Sequence, residues 1–166
     1  MDINKRVKKN LTKVEGKVIV DSDLSKPWGF YETFVRNKKS TCKVLGVSDD
    51  LSLQSHKKRD EIWYLVKGKV AVYRGKVFNS KIKTIANLKE KIVYPGDGVF
   101  IPKNTAHGAS NLDRKGSTLV EVALGSAAES DIIRYYDKSG RVKLEGVRDG
   151  LSTPDVIRVC RKMLKK

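Results

Sequence analysis

The stretch LSLQSHKKRDEIWYLVKG, residues 51–68, holds one of the two histidines of the chain. Read with period two, Gln54 and His56 share one face of a strand while Leu53 and Ser55 take the other. Lys57 to Asp60 supply a bend. Glu61 then starts a second strand and shares its face with Trp63 and Leu65, whereas Ile62, Tyr64 and Val66 point the opposite way. A hairpin of this kind brings Glu61 to the Gln54/His56 pair. The other histidine, His107, stands in YPGDGVFIPKNTAHGASN (residues 94–111), after a strand bracketed by Gly96 and Pro102. These four residues are either metal ligands or the polar face of ordinary strands with structural histidines.

The rhythm around this stretch is that of an antiparallel β protein. GKVIV, CKVLGV, EIWYLVKGKVAVYRG, GDGVFIP and STLVEVALG are rich in β-branched and aromatic residues and are separated by Gly, Pro, Asn and Asp. Short strands at this spacing predict a sandwich or barrel. Only the C-terminus breaks the pattern. In STPDVIRVCRKMLKK, Ser152 or Thr153 is the N-cap and Pro154 lies in the first turn. Val156, Ile157, Val159, Cys160, Met163 and Leu164 recur at helical spacing. This amphipathic helix is expected to pack on the barrel or on a second subunit rather than on a membrane.

A chain of 166 residues suits one domain with a core of its own. It has no apolar run long enough to span a bilayer. The basic N-terminus, MDINKRVKKNLTKVEGK, has no following hydrophobic segment of a signal peptide. A soluble cytoplasmic protein with no membrane partner is expected. Cys42 and Cys160 stand far apart, without CxxC spacing, which predicts free thiols. The net charge of +16 is spread along the chain, with no nucleic-acid module and few aromatics for base stacking. It therefore suits a solvated surface that draws in anionic metabolites better than it suits a nucleic-acid partner.

Gly96, Pro102, His107 and Asn111 fit the second cupin motif, G-x5-P-x4-H-x3-N. Gln54, His56, Glu61 and Gly68 fit the first from its ligands onward. Together with KPWGFYETF and ESDIIRYYDKSGR, these segments resemble the C-terminal cupin domain of type II phosphomannose isomerases, whose larger members also carry a mannose-1-phosphate guanylyltransferase domain. The resemblance implies an all-β fold, a single double-stranded β-helix (jelly-roll) barrel with a short C-terminal helix. Residues 1–25 form a basic segment with a possible strand, 26–141 the cupin domain, and 142–166 an extension bearing the helix. No glycine-rich phosphate loop or large α/β sheet accompanies it, so guanylyl transfer is not expected.

The resemblance further implies one divalent transition metal held by Gln54, His56, Glu61 and His107. Two imidazoles, a carboxylate and an amide suit zinc best, then manganese, iron, cobalt or nickel, ahead of calcium. The implied activity interconverts mannose 6-phosphate and fructose 6-phosphate in a homodimer. Glu121, on an inward face, is the candidate base, or else a paired structural carboxylate. Lys57, Lys58 and Arg59 are candidates for the substrate phosphate, or else a solvated turn. The chain departs from the family pattern at Ile62 (commonly His), Gly108 (commonly Arg), Ala123 (commonly Gln) and Val47-Ser48 (commonly Pro-Gly). A non-catalytic sugar-phosphate-binding cupin and a metal cupin of another class, such as a dioxygenase, are the alternatives.

Overall fold

The structure, a computed structural model, describes residues 21–126 and 128–165. The strand expected within GKVIV lies outside the described residues. Among the described residues, eleven strands make two sheets. The first six are β1 (Asp21–Lys26), β2 (Gly29–Arg36), β3 (Ser40–Val47), β4 (Leu53–His56), β5 (Arg59–Lys67) and β6 (Val70–Lys76). A short helix α1 (Lys81–Ala86) precedes β7 (Lys89–Val93), β8 (Gly98–Ile101), β9 (Thr105–Asn111) and β10 (Ser117–Gly125). A 3₁₀ turn (Glu129–Asp131) leads into β11 (Ile132–Tyr136), and α2 (Thr153–Met163) closes the described chain. The sheets run β1-β2-β3-β10-β5-β8 and β11-β4-β9-β6-β7. All named pairings are antiparallel. This is the expected jelly-roll with a C-terminal helix.

Alternation sorts each strand between a core and an outer face. Leu45, Leu65, Val70, Val72, Val99 and Leu119 meet in one buried cluster between the sheets. At about 1.5–3 kcal/mol for each fully buried aliphatic side chain, that cluster fixes the register, because a slip of one residue would expose every member. Leu53, Ala71, Tyr73 and Ala106 face the other way and pack with Ile85 of α1 and Val156, Ile157 and Cys160 of α2. The helices thus cover the outer side of the five-stranded sheet. Ser152 caps α2 by accepting from Asp155 N–H, and Pro154 sits in the first turn. Both cysteines are free thiols, and no helix among the described residues is long and apolar enough to cross a membrane.

Two expectations need correction. β4 and β5 do not form a hairpin: they belong to different sheets, and the chain crosses from one to the other at Lys57-Lys58. The bend is shorter than expected, because Arg59 and Asp60 already pair with Gly125 and Leu124 of β10. A second helix, α1, is present; Ser80 caps it, and Thr84 and Ile85 are buried. The basic segment contributes β1 from Asp21 onward, which pairs with β2.

Candidate metal centre and its cavity

Glu61 stands at the centre of a buried polar cluster. It points inward with Trp63 and Leu65 and reaches from one sheet to the other. Its Oε1 lies 3.1 Å from His56 Nε2 on β4, and its Oε2 lies 3.3 Å from His107 Nε2 on β9. One ligand atom from each of the three residues lies within 4.8 Å of the others. His107 Nδ1 donates to the Thr105 carbonyl at 2.9 Å, which orients Nε2 towards Glu61. The turn before β9 is tied to β4, because Asn104 N–H donates to the His56 carbonyl at 2.7 Å. Asn104 adopts a positive φ of 61° there, a conformation that asparagine tolerates better than most side chains.

Burial drives the His56 imidazole below its ordinary value, against the pull of Glu61, so it is neutral at pH 7. Burial works to raise the Glu61 carboxyl as well, but its contacts with His107 and His56 outweigh it and hold Glu61 well below the usual range. Among the described residues, Glu61 Oε2, His107 Nε2 and His56 Nδ1 are buried without a hydrogen-bond partner. Leaving a buried polar atom unsatisfied costs about 1–3 kcal/mol. A divalent ion bound by these side chains would satisfy Glu61 Oε2 and His107 Nε2 together. The donor set of two imidazoles and one carboxylate therefore fits a transition metal.

Gln54 lies beside this cluster, with its Nε2 3.5 Å from His56 Nε2 while its Oε1 accepts from Ser52 Oγ at 3.0 Å. Rotating the amide by half a turn would present the oxygen to the cluster and let the nitrogen donate to Ser52. Arg59 is buried, only 5% exposed. It donates from Nε to Glu61 Oε1 at 2.8 Å, and its Nη2 lies 3.1 Å from His56 Nε2. It is thus part of the cluster's surroundings rather than of a solvated turn. Lys57 and Lys58 are exposed and absent from the wall of the cavity described next. Their backbone N–H groups donate to Asp131 at 3.2 and 3.0 Å, and this fixes the bend. The structure therefore brings Arg59 to the site and leaves both lysines outside it.

A cavity of about 690 Å³ opens next to the cluster. Gln54, Arg59, Trp63 and Glu121 line its inner part, and Lys26, Arg36, Lys43, Arg134 and Arg141 add positive charge to its wall. Glu121 points inward as expected. Its Oε2 accepts from Trp63 Nε1 at 3.2 Å, and Lys43 Nζ lies 3.6 Å from Oε1. Burial, and then the negative charge of Glu61, raise the Glu121 carboxyl above its ordinary value. Ala123 is buried on the same face, opposite Glu61 on one side and Thr41 on the other.

Gly108 faces away from the cavity. A Cβ there would lie 2.7 Å from Leu53 on the helix-covered side, so this departure from the family pattern does not touch the pocket. Sequence reasoning missed Lys43, Thr41, Arg36, Arg134 and Arg141 as cavity residues. The available signal was a cation between apolar neighbours in a strand, as in TCKVL and IIRYY.

A model of the family described as mannose-6-phosphate isomerase C-terminal matches residues 14–137. The chain belongs to that family. The chain is 28% identical over 123 residues to the mannose-1-phosphate guanylyltransferase ManC of Salmonella typhimurium, which covers 72% of this chain and 23% of that protein. It is 29% identical over 119 residues to the xanthan biosynthesis protein XanB of Xanthomonas campestris, 70% of this chain and 23% of that one. It thus spans less than a quarter of the length of these relatives. Among solved structures, KdgF from Halomonas sp. matches with a TM-score of 0.52 at 17% identity, over 66% of this chain and 89% of the other. The capsular polysaccharide assembling protein CapF of Staphylococcus aureus matches with a TM-score of 0.58 at 15% identity, over 69% and 34%. These two likenesses bear on the fold alone, which is that of a cupin.

Proposed function

We propose that the chain is a metal-dependent isomerase interconverting mannose 6-phosphate and fructose 6-phosphate. One juxtaposition carries the reading: Gln54 and Arg59, which touch the His56–Glu61–His107 cluster, share a cation-rich cavity with a buried carboxylate, Glu121. Membership of the family supports it. A zinc, manganese, iron, cobalt or nickel ion held by His56, Glu61, His107 and Gln54 supplies Lewis-acid stabilisation of negative charge developing on substrate oxygen. Glu121 removes the proton from the carbon next to the carbonyl and returns it to the former carbonyl carbon, while the hydroxyl proton of the deprotonated carbon passes to the former carbonyl oxygen, so that aldose becomes ketose with no net oxidation. Its raised affinity for a proton suits that task, and the Trp63 N–H holds one oxygen in place. Guanylyl transfer, named in relatives of which this chain spans 23%, is not part of the proposal.

The test is elemental analysis after reconstitution, followed by a coupled assay for fructose 6-phosphate. The expected result is about one metal ion per chain, as a single mononuclear site requires, together with turnover of mannose 6-phosphate. No metal uptake, or metal-loaded protein without turnover, overturns it. One observation favours a second reading, a binding cupin without catalysis: Ala123 contributes only a methyl group beside Glu61. Metabolite binding without turnover would select that reading. For quaternary structure, the exposed row Ile62, Tyr64, Val66 and Phe100 on the outer face of the six-stranded sheet supports a homodimer. Light scattering showing only monomer at micromolar concentration would count against it.

A further inference from the structure

The cavity walls carry two hydrogen-bonding atoms that the protein leaves unused. Arg134 lies on β11 directly opposite Gln54 of β4 and lines the cavity. Its Nε is buried without a partner among the described residues. Its Nη2 is held at 2.6 Å by Glu129, whose side chain is 77% exposed. A partner that open to water gives up a guanidinium at little cost. The other cavity arginines are better engaged: Arg141 donates from Nε to the buried Asp137 at 2.7 Å, and Arg36 pairs with Asp21 at 2.8 Å. Across the cavity, Thr41 of β3 is buried beside Ala123, and its Oγ1 likewise has no partner among the described residues.

We propose that Arg134 anchors the anionic group of the ligand, a phosphate monoester, and that Thr41 Oγ1 on the facing sheet binds one of its hydroxyl groups. A guanidinium fork matches phosphate oxygens in pairs, and turning the guanidinium off the exposed Glu129 would bring Nη2 and the buried, unpartnered Nε to an anion as such a fork. A cavity of about 690 Å³ lies within the range of roughly 300–1,000 Å³ typical of small-molecule sites. Arg134 also places the phosphate one strand away from Gln54, so the anion sits beside the metal centre without displacing its ligands. The inference rests on the cavity being the sugar-phosphate pocket of the proposed isomerase, and it assigns the phosphate to Arg134 in place of Lys57 and Lys58.

Both tryptophans of the chain, Trp28 and Trp63, line this cavity, so tryptophan fluorescence, checked by calorimetry, reads binding directly. The probes are mannose 6-phosphate, mannose and inorganic phosphate. Arg134→Gln is expected to weaken mannose 6-phosphate binding roughly tenfold or more, the worth of a charge-assisted hydrogen bond. It should abolish the response to inorganic phosphate and leave mannose unchanged. Arg134→Lys, which keeps the charge without the fork, should fall between the two. Thr41→Val should weaken both sugars alike by a few-fold and leave inorganic phosphate unaffected. The proposal is overturned if Arg134→Gln binds mannose 6-phosphate like the parent, if it weakens mannose equally, or if the parent binds none of the probes at millimolar concentration. The isomerase reading fails separately: loss of phosphate binding in Arg134→Gln with no turnover in the metal-loaded parent keeps the anchor and removes the enzyme. Turnover by Arg134→Gln with parental kcat/KM keeps the enzyme and removes the anchor.

Discussion

The space between the sheets has two unlike halves built from the same strands. In one half β5 contributes Leu65, β10 Leu119 and β9 Ala109; in the other the same strands contribute Glu61, Glu121 and His107. The backbone alternation is identical on both sides, and only the side-chain chemistry changes, within two to four residues along each strand. Burying charged groups costs free energy that their mutual attraction repays only in part. The apolar half therefore sets register and stability, and the polar half depends on it. The separation is one of labour within single strands, so each half can be attacked alone.

The largest effect on folding is expected in the apolar half. Leu65→Ala removes a fully buried side chain and should destabilise the protein by about 2–5 kcal/mol in denaturant unfolding. If it costs no more than a surface substitution, the division of labour is wrong. His107→Ala is the converse. It should lower metal affinity beyond the ~10–100-fold typical of a residue that only supports a ligand, measured by chelator competition. The metal-free variant should lose less stability than Leu65→Ala does.

Glu121→Gln sharpens the comparison through pH. The carboxyl is raised in the folded state, chiefly by burial, so its ionised form opposes folding. That penalty is absent below the unfolded value near 4.5, grows as pH rises towards the folded value, and is constant above it. Unfolding at pH 4 should show no difference between Glu121→Gln and the parent. At pH 8 the variant should gain up to about 1 kcal/mol, limited by the loss of the partner for Lys43. A gain that is larger at pH 4 would reverse the assignment. The smallest effect belongs to Lys57→Ala/Lys58→Ala. Both side chains are exposed outside the cavity, and stability should stay within about 0.5 kcal/mol of the parent, with mannose 6-phosphate binding unchanged.

Much of this contrast was legible in the residues. Period two placed Glu61 with Trp63 and Leu65 and set Ile62, Tyr64 and Val66 outward, as the structure has them. The two gapped motifs marked the histidines that meet at Glu61. What stayed hidden was non-local. Nothing between His56 and Arg59 shows that β4 joins β9 and β11 while β5 joins β8 and β10, because a strand's partners are chosen by distant segments. Arg59 shares the alternation of Glu61, but a guanidinium is ordinarily solvated, and its partners Glu61, His56, the Ala128 carbonyl and Asp131 make burial tolerable. The α1 helix is six residues long, too short for a periodic pattern to stand out against the strands around it.

The position of β10 has a consequence for how the molecule comes together in time. It lies between β3 and β5, pairing Glu121 with Lys43 on one side and with Trp63 on the other. Both partners precede it by a long stretch of chain, so their contacts carry the loop-closure entropy that makes sheets of this kind slow to form. Until β10 inserts, the six-stranded sheet is two separate ribbons, β1-β2-β3 and β5-β8, with free edges facing each other. The strand that joins them also delivers the candidate base. The cavity floor and the continuity of the sheet are thus expected to arise together, late in folding, and a chain arrested before that step would expose two open edges with no site between them.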